Sequence, residues 1–128
     1  MTSHGDVVRA YTEAWLAGDI GTVLDLYHPD LVLHYGGANP FAGDHVGKDA
    51  AITVLLAVQE RTQRVPVQVL DIMESDIHAA AWVRERWIVD GAPLELERLL
   101  VYRTADDMLA ECWLYDQDQA LVDRVLSG

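Results

Sequence analysis

The sequence contains little of what several function classes require. Among its 128 residues Cys112 is the single cysteine, which excludes an internal disulfide, a zinc-finger spacing and a redox pair. Nine basic residues stand against 21 acidic ones, and the resulting net charge of -12 repels phosphate backbones and anionic lipid surfaces. No apolar run is long enough to predict a signal peptide or a membrane span. We therefore expect no nucleic-acid partner, no membrane partner and a cytoplasmic location.

The motifs of metal and cofactor sites are missing as well. The five histidines are scattered along the chain and form no compact ligand motif with carboxylates. Neither a phosphate-binding loop, a dinucleotide glycine fingerprint nor a GxSxG elbow is present. The sequence therefore predicts that the protein holds no metal and no cofactor.

What is present is the composition of one folded domain. Hydrophobic residues make up 51% of the chain and charged residues 23%, which is too apolar for a disordered chain. A length of 128 residues is typical of one domain with one core, so we expect a single domain over residues 1–128.

Helical periodicity marks the first half of the chain. Apolar residues recur at three- and four-residue spacing over residues 6–17, and Gly18 follows where a helix would end. Asp19 can cap a second short helix that runs to Tyr27 and is ended by Pro29. Further helices are predicted at 48–62, after a glycine-containing turn, and at 117–126.

Strand patterns occupy the remainder. Residues 31–35 predict a strand, followed by the turn formers of residues 36–40. Four long strands are predicted at 65–75, 77–89, 94–104 and 108–116, separated by short turns, as in an antiparallel meander. Three N-terminal helices packed on a strongly curved antiparallel sheet, with a short C-terminal helix, give an α+β cone. The mouth of such a cone is a natural site for a small ligand.

This order of elements resembles the nuclear transport factor 2-like fold over essentially the whole chain. Val7 to Tyr11, then Ala17-Gly18-Asp19 and Leu26 to Asp30, resemble the helical opening of ketosteroid isomerases. Residues 33–47, with a histidine and two glycine-containing turns, and Glu111-Cys112-Trp113 resemble the SnoaL-like polyketide cyclases.

The resemblance implies catalytic residues. Tyr11 takes the place of the isomerase oxyanion-hole tyrosine, judged by its distance from Gly18. The isomerase general-base aspartate falls on Tyr35 when counted from Gly18 and on His34 when counted back from Gly43; only histidine is a competent base near neutral pH. Asp116 and Asp118 straddle the acidic position just past the final-strand tryptophan of the cyclases, and either could be its counterpart.

Further side chains are candidates for substrate binding. The flat rings of Tyr35, Trp15, Trp82 and Trp113 suit a hydrophobic ligand, although tryptophans also serve as core residues. Polar candidates are Glu97, Glu111 and Arg84. Since alternate strand residues share a face, one of Glu85, Glu97 and Arg84 could point into the cone. The alternative is a cross-strand ion pair on the open sheet face.

These observations predict a cofactor-independent acid/base enzyme that acts on a small hydrophobic carbonyl compound. His34 would be the base, Tyr11 the donor to the enolate oxygen, and Asp116 or Asp118 the orienting or second acid/base group. Isomerisation, aldol-type cyclisation and dehydration all remain open.

Three alternatives accompany this prediction. The first is a non-catalytic ligand-binding or dimerisation module, and a homodimer through the open sheet face is expected in any case. The second is a structural partner protein. The third, minor one is an epoxide hydrolase resembling limonene-epoxide hydrolases, which need an aspartate, arginine, aspartate set where this chain has Arg84-Glu85-Arg86.

Overall fold

A computed structural model describes residues 2–128 and has the expected α+β architecture. Three helices and two strands come first, and a meander of four strands and a C-terminal helix follow. In chain order the elements are α1 (His4–Ala17), α2 (Ile20–Asp25), β1 (Tyr27–Tyr35), β2 (Gly43–Val46), α3 (Lys48–Thr62), β3 (Val65–Glu74), β4 (Ala79–Val89), β5 (Ala92–Ala105), β6 (Met108–Asp116) and α4 (Gln119–Ser127). The predicted fold class is confirmed.

Helix boundaries follow local chemistry. Ser3 and Asp6 form a capping box at the start of α1, and Gly18 ends that helix in the left-handed conformation. Asp19 caps α2 as predicted, since its side chain accepts a hydrogen bond from the backbone of Thr22.

The second helix is shorter than predicted. It ends at Asp25, and β1 begins at Tyr27 and includes Pro29, which the sequence had placed in a helix-ending turn. Proline is tolerated because the ladder between β1 and β6 is irregular between Tyr27 and Val32, so Pro29 lies where regular pairing lapses.

The sheet has six strands in the order β2-β1-β6-β5-β4-β3. The meander β3 to β6 is antiparallel as predicted, but β1 pairs with β6 in parallel. The short edge strand β2 was predicted as a turn; its residues pair antiparallel with β1, with Asp44 opposite His34.

Alternation sorts each strand into an inner and an outer row. Leu31, Leu33 and Tyr35 of β1 are buried, whereas Val32 and His34 between them are partly exposed. The inner rows of β4, β5 and β6 pack against α1, and β1 packs mainly against α3, so that helices and sheet form one core. No helix within residues 2–128 is both long and apolar enough to cross a membrane.

Candidate functional site

An apolar cavity of about 190 Å³ lies between the helices and the inner sheet face. Residues of α1, α2 and α3 surround it on one side, among them Trp15, and β1, β5 and β6 supply its other wall. Most of the wall is aliphatic: Leu31, Leu33, Ile52, Leu55, Leu100 and Leu114. A concave apolar space with a few polar groups is the usual form of a small-molecule site.

One polar group of the cavity is a tyrosine cluster. The hydroxyls of Tyr11 and Tyr27 are 2.8 Å apart, and the Tyr11 ring also packs against Tyr102, with 5.7 Å between centroids. Burial raises the pKa of each of these phenols, and it raises the pKa of the Cys112 thiol beside them to about 12. All four groups are therefore protonated and uncharged at neutral pH, so the cluster can donate hydrogen bonds to a ligand oxygen.

The second polar group is a buried ion network around Arg98. Its guanidinium holds Asp116 with two hydrogen bonds: Nε donates to Oδ1 over 2.6 Å and Nη2 donates to Oδ2 over 3.2 Å. Nη2 also donates to the Tyr35 hydroxyl over 3.0 Å, and Nη1 lies 3.5 Å from Glu85 Oε1. The Arg98 side chain is 0% exposed and both carboxylates are 1% exposed. Of these residues Arg98 and Glu85 line the cavity.

Strand register explains this network. Arg98 of β5 lies directly opposite Asp116 of β6, and Glu85 of β4 is opposite Leu96, one inner-row position from Arg98. Burial alone would lower the pKa of Arg98, but Glu85 and Asp116 raise it above its ordinary value, so the guanidinium stays charged. Burial raises the pKa of Asp116, and Arg98 opposes that rise.

Glu85 keeps one oxygen free. Its Oε1 accepts hydrogen bonds from Trp87 Nε1, at 3.0 Å, and from Arg98. Its Oε2 accepts no hydrogen bond from any residue in the range 2–128. Glu85 lines the cavity, so its carboxylate has acceptor capacity that the described residues do not use.

His34 lies on the opposite side of the sheet. Its Nδ1 is 2.6 Å from Asp44 Oδ1, its Nε2 is 2.6 Å from Glu111 Oε2, and its ring stacks on Trp113 with 5.2 Å between centroids. Burial would lower the pKa of His34, but the two carboxylates raise it above its ordinary value. Hence the structure gives His34 its carboxylate partners but does not bring it together with Tyr11 in one enclosed space.

The other predicted residues divide between the two faces. On the inner side Trp15 and Tyr11 line the cavity, while Tyr35 and Asp116 belong to the Arg98 network. Asp118 caps α4, where Oδ1 accepts from the backbone of Leu121 over 3.1 Å. The remaining predicted binding residues lie on the outer face: Trp82, Trp113, Glu97, Glu111 and Arg84.

On the outer face the charged residues pair as cross-strand partners. Arg84 Nη2 lies 3.2 Å from Glu97 Oε2, and Trp82 Nε1 donates to the other oxygen of Glu97 over 2.9 Å. Arg103 Nε similarly lies 3.2 Å from Glu111 Oε1. Of the three residues considered for the interior, Glu85 is the one that points into the cone, and Arg84 and Glu97 form the ion pair.

Sequence reasoning missed Arg98 as a site residue and named Glu85 only as one of three candidates for the interior, although a stronger signal existed. Arg98 is the single polar residue in the otherwise hydrophobic row Leu94, Leu96, Arg98, Leu100 and Tyr102. A charge in the middle of a buried row needs a buried partner, and Glu85 between Val83 and Trp87 presents the same signal on the neighbouring strand. Tyr27 was not recognised as a site residue because the sequence pattern placed it at the end of a helix, whereas it begins β1.

Metal binding has no geometric support in the described chain. Within residues 2–128 no three or more histidine, cysteine or acidic side chains are grouped so that they could hold an ion.

Comparison with known proteins places the chain in a family. Residues 8–112 match the SnoaL-like domain. The chain belongs to the SnoaL-like domain family. No curated protein matches the sequence.

Solved structures share the whole fold of this SnoaL-like domain. A protein of unknown function from Xanthomonas campestris, with a cystatin-like fold, is 23% identical at a TM-score of 0.89, covering 98% of this chain and 99% of its own. An NTF2-like protein of unknown function from Burkholderia pseudomallei is 20% identical at 0.82, with 100% of both chains covered. IdmH of Streptomyces antibioticus, a candidate polyketide cyclase, is 21% identical at 0.70, covering 93% of this chain and 96% of its own. The predicted family resemblance is thereby confirmed.

Proposed function

We propose that this protein is a cofactor-independent acid/base enzyme that acts on a small hydrophobic carbonyl compound in the cone cavity. One observation carries the proposal: the same apolar cavity holds protonated phenols and a carboxylate oxygen that accepts no hydrogen bond from the described residues. The phenols can receive a developing enolate oxygen, and the carboxylate can take the proton from the carbon beside the carbonyl.

The tyrosine pair is proposed as the oxygen-binding group. One of the hydroxyls of Tyr11 and Tyr27 donates to the other, and the second phenolic proton is the one proposed to bind the ligand oxygen. In an apolar cavity such a donor strengthens as negative charge develops on the carbonyl oxygen. Removal of one donor of this kind lowers kcat by roughly 100- to 1,000-fold in known acyl-transfer sites.

Glu85 is proposed as the base in place of His34. Trp87 and Arg98 hold its Oε1, and Oε2, which accepts no hydrogen bond from the described residues, is the oxygen proposed to take the proton. Asp116 is proposed as a positioning residue, because it fixes the Arg98 guanidinium from the side away from Glu85 without lining the cavity.

The cavity size limits the substrate. A volume of about 190 Å³ somewhat exceeds the roughly 150 Å³ known to admit benzene, so a one- or two-ring compound is the expected size. IdmH and a Sinorhizobium meliloti neighbour, 20% identical at a TM-score of 0.66, are both named as candidate polyketide cyclases. Ring closure of the aldol type starts with removal of a proton next to a carbonyl, which is the step proposed here; isomerisation or dehydration would start in the same way.

A second candidate is epoxide hydrolysis. The observation that favours it is the buried set of Glu85, Arg98 and Asp116, since Glu85 lines the cavity and could take a proton from water while a phenol of the tyrosine pair protonates the epoxide oxygen. This set keeps Glu85 of the Arg84-Glu85-Arg86 segment considered from the sequence, but its arginine is Arg98 of β5.

The test is deuterium exchange. A panel of one- and two-ring ketones is incubated with protein in D₂O, and exchange at the carbon next to the carbonyl is followed by NMR. We expect exchange with the unaltered protein, a loss of roughly 100-fold or more in Glu85→Gln, and a comparable loss in Tyr11→Phe.

His34→Gln separates the two assignments of the base. If Glu85 is the base, His34→Gln exchanges at the unaltered rate; if the rate falls in His34→Gln and not in Glu85→Gln, the proposed base is wrong. Ligands that bind without exchange indicate the non-catalytic module, and incorporation of ¹⁸O from water into small epoxides indicates the second candidate.

A further inference from the structure

Arg64 is a positive side chain on the cavity wall that none of the roles above uses. It lies directly before β3, in the connection from α3, and it is partly buried. The cavity is lined by two positive residues, Arg64 and Arg98. Arg98 is fully used by its buried partners, whereas no carboxylate within residues 2–128 lies within 4.0 Å of Arg64.

The Arg64 guanidinium keeps most of its donors free. Its Nε donates to Gln59 Oε1 over 3.3 Å, and its two Nη atoms donate to no residue in the described chain. A guanidinium presents its donors in a planar fork that matches a carboxylate with two parallel hydrogen bonds. Arg64 therefore has its carboxylate-binding edge unoccupied by protein.

Gln59 holds this side chain in place. Its amide nitrogen donates to the Arg64 carbonyl over 3.0 Å while its amide oxygen accepts from Nε, so one side chain contacts both the main chain and the guanidinium. Gln59 also lines the cavity. Two contacts to one residue reduce the freedom that a ligand would otherwise have to remove on binding.

The charge of Arg64 reaches the tyrosine cluster. Burial is the main effect on the pKa of Tyr11 and of Tyr27 and raises both, and the positive charge of Arg64 opposes the rise in each case. The same holds for Cys112. Arg64, Tyr11 and Tyr27 all line the same cavity of about 190 Å³, so one ligand that fills it can contact both the guanidinium and the cluster.

The overall charge makes an unpaired arginine at this position informative. The net charge of -12 repels anions in general, so a negatively charged ligand needs local compensation in order to enter the cavity. Although the chain has 21 acidic residues, none of those described pairs with Arg64. Its positive charge on the cavity wall supplies that compensation.

We propose that the ligand of this cavity is a small hydrophobic carboxylate, and that Arg64 selects it by binding the carboxylate group. This inference rests on the proposed function, because it names the substrate class of the same cavity: a keto acid whose carbonyl oxygen meets the tyrosine pair. Arg64 is a specificity-determining residue and takes no part in the proton transfer.

The test compares two probes that differ in charge. Isothermal titration calorimetry measures the Kd of 2-naphthoate and of its neutral counterpart 2-naphthamide, with competition between the two to place both in one site. We expect naphthoate to bind about 10- to 100-fold more tightly to the unaltered protein, as is typical of hydrogen bonds to a charged group. In Arg64→Gln the two probes should bind with about equal Kd, because the naphthoate loses affinity while the Kd of the amide changes little.

Two further variants serve as controls. Arg64→Lys keeps the charge and should retain much of the preference, which separates charge from folding. Arg86→Gln removes one positive charge from the exposed outer row of β4 and should leave the preference unchanged.

The proposal is overturned if the amide binds as well as the carboxylate, if the carboxylate does not bind, or if the preference survives in Arg64→Gln. The exchange assay with neutral ketones is independent of Arg64. A protein that exchanges ketones but shows no carboxylate preference refutes this inference alone, whereas a carboxylate preference without exchange refutes the enzyme and leaves the ligand class standing.

Discussion

Replacement of Arg98 by methionine tests the buried network on which the proposed site depends. Arg98→Met keeps a side chain of similar length and apolar stem but removes the charge that Asp116 and Glu85 share. Both carboxylates are 1% exposed, so each would lose its charged partner while removed from bulk water. Removing one partner of a buried ion pair typically costs about 3–5 kcal/mol, a large part of the roughly 5–15 kcal/mol that holds a domain folded.

The loss of unfolding free energy in Arg98→Met should depend on pH. Burial already raises the pKa of Asp116 in the presence of Arg98, and without the guanidinium the opposing effect is gone. A carboxyl whose folded pKa lies above its unfolded value binds its proton more tightly when folded, so its stabilising contribution is present at low pH and is lost as pH rises. We therefore expect the deficit of Arg98→Met to be larger at pH 8 than at pH 5.

Urea unfolding followed by far-UV circular dichroism at both pH values measures this free energy. The matched control is Arg84→Met, which breaks the partly exposed Arg84–Glu97 pair on the outer face and should cost about 0–1 kcal/mol at either pH. The reasoning is refuted if Arg98→Met costs no more than Arg84→Met, or if its deficit is the same at pH 5 and pH 8.

Two other expectations concern the outer face. The raised pKa of His34 means that the charged ring stabilises the fold below its unfolded pKa and that this contribution disappears as pH rises through the folded value. Hence His34→Gln should lose about 0.5–1 kcal/mol in urea unfolding at pH 6 and almost nothing at pH 9, and an equal loss at both would contradict this role. A second copy of the chain is predicted to cover the outer face, where Trp82 is 43% exposed and Tyr115 is 53% exposed. Sedimentation equilibrium should then give twice the mass of one chain, and one chain's mass for Tyr115→Glu; a monomeric unaltered protein would rule the dimer out.

The architecture was largely predictable because its signals are local. Helical spacing with Gly18 and Asp19 at the helix ends, and long strand patterns separated by short turns, each predict the structure of their own segment. The wrong predictions concern segments whose conformation is decided by pairing with a strand that is distant in the sequence. Residues 43–46 have a weak strand pattern and become extended because β1 offers hydrogen-bond partners, and Tyr27 joins the sheet by pairing with Leu109 of β6.

Predicting the site from the sequence depended on which of two neighbouring side chains faces inward. Counting from Gly43 selected His34, and counting from Gly18 selected Tyr35; the second count agrees with the inward side chain, since Tyr35 is 3% exposed and contacts Arg98. A shift of one residue exchanges the two faces of a strand completely. The row Leu31, Leu33, Tyr35 is wholly hydrophobic, and His34 shares its row with Asp30. Alternation was therefore the stronger criterion for the inward face, and chemical competence as a base was the weaker one.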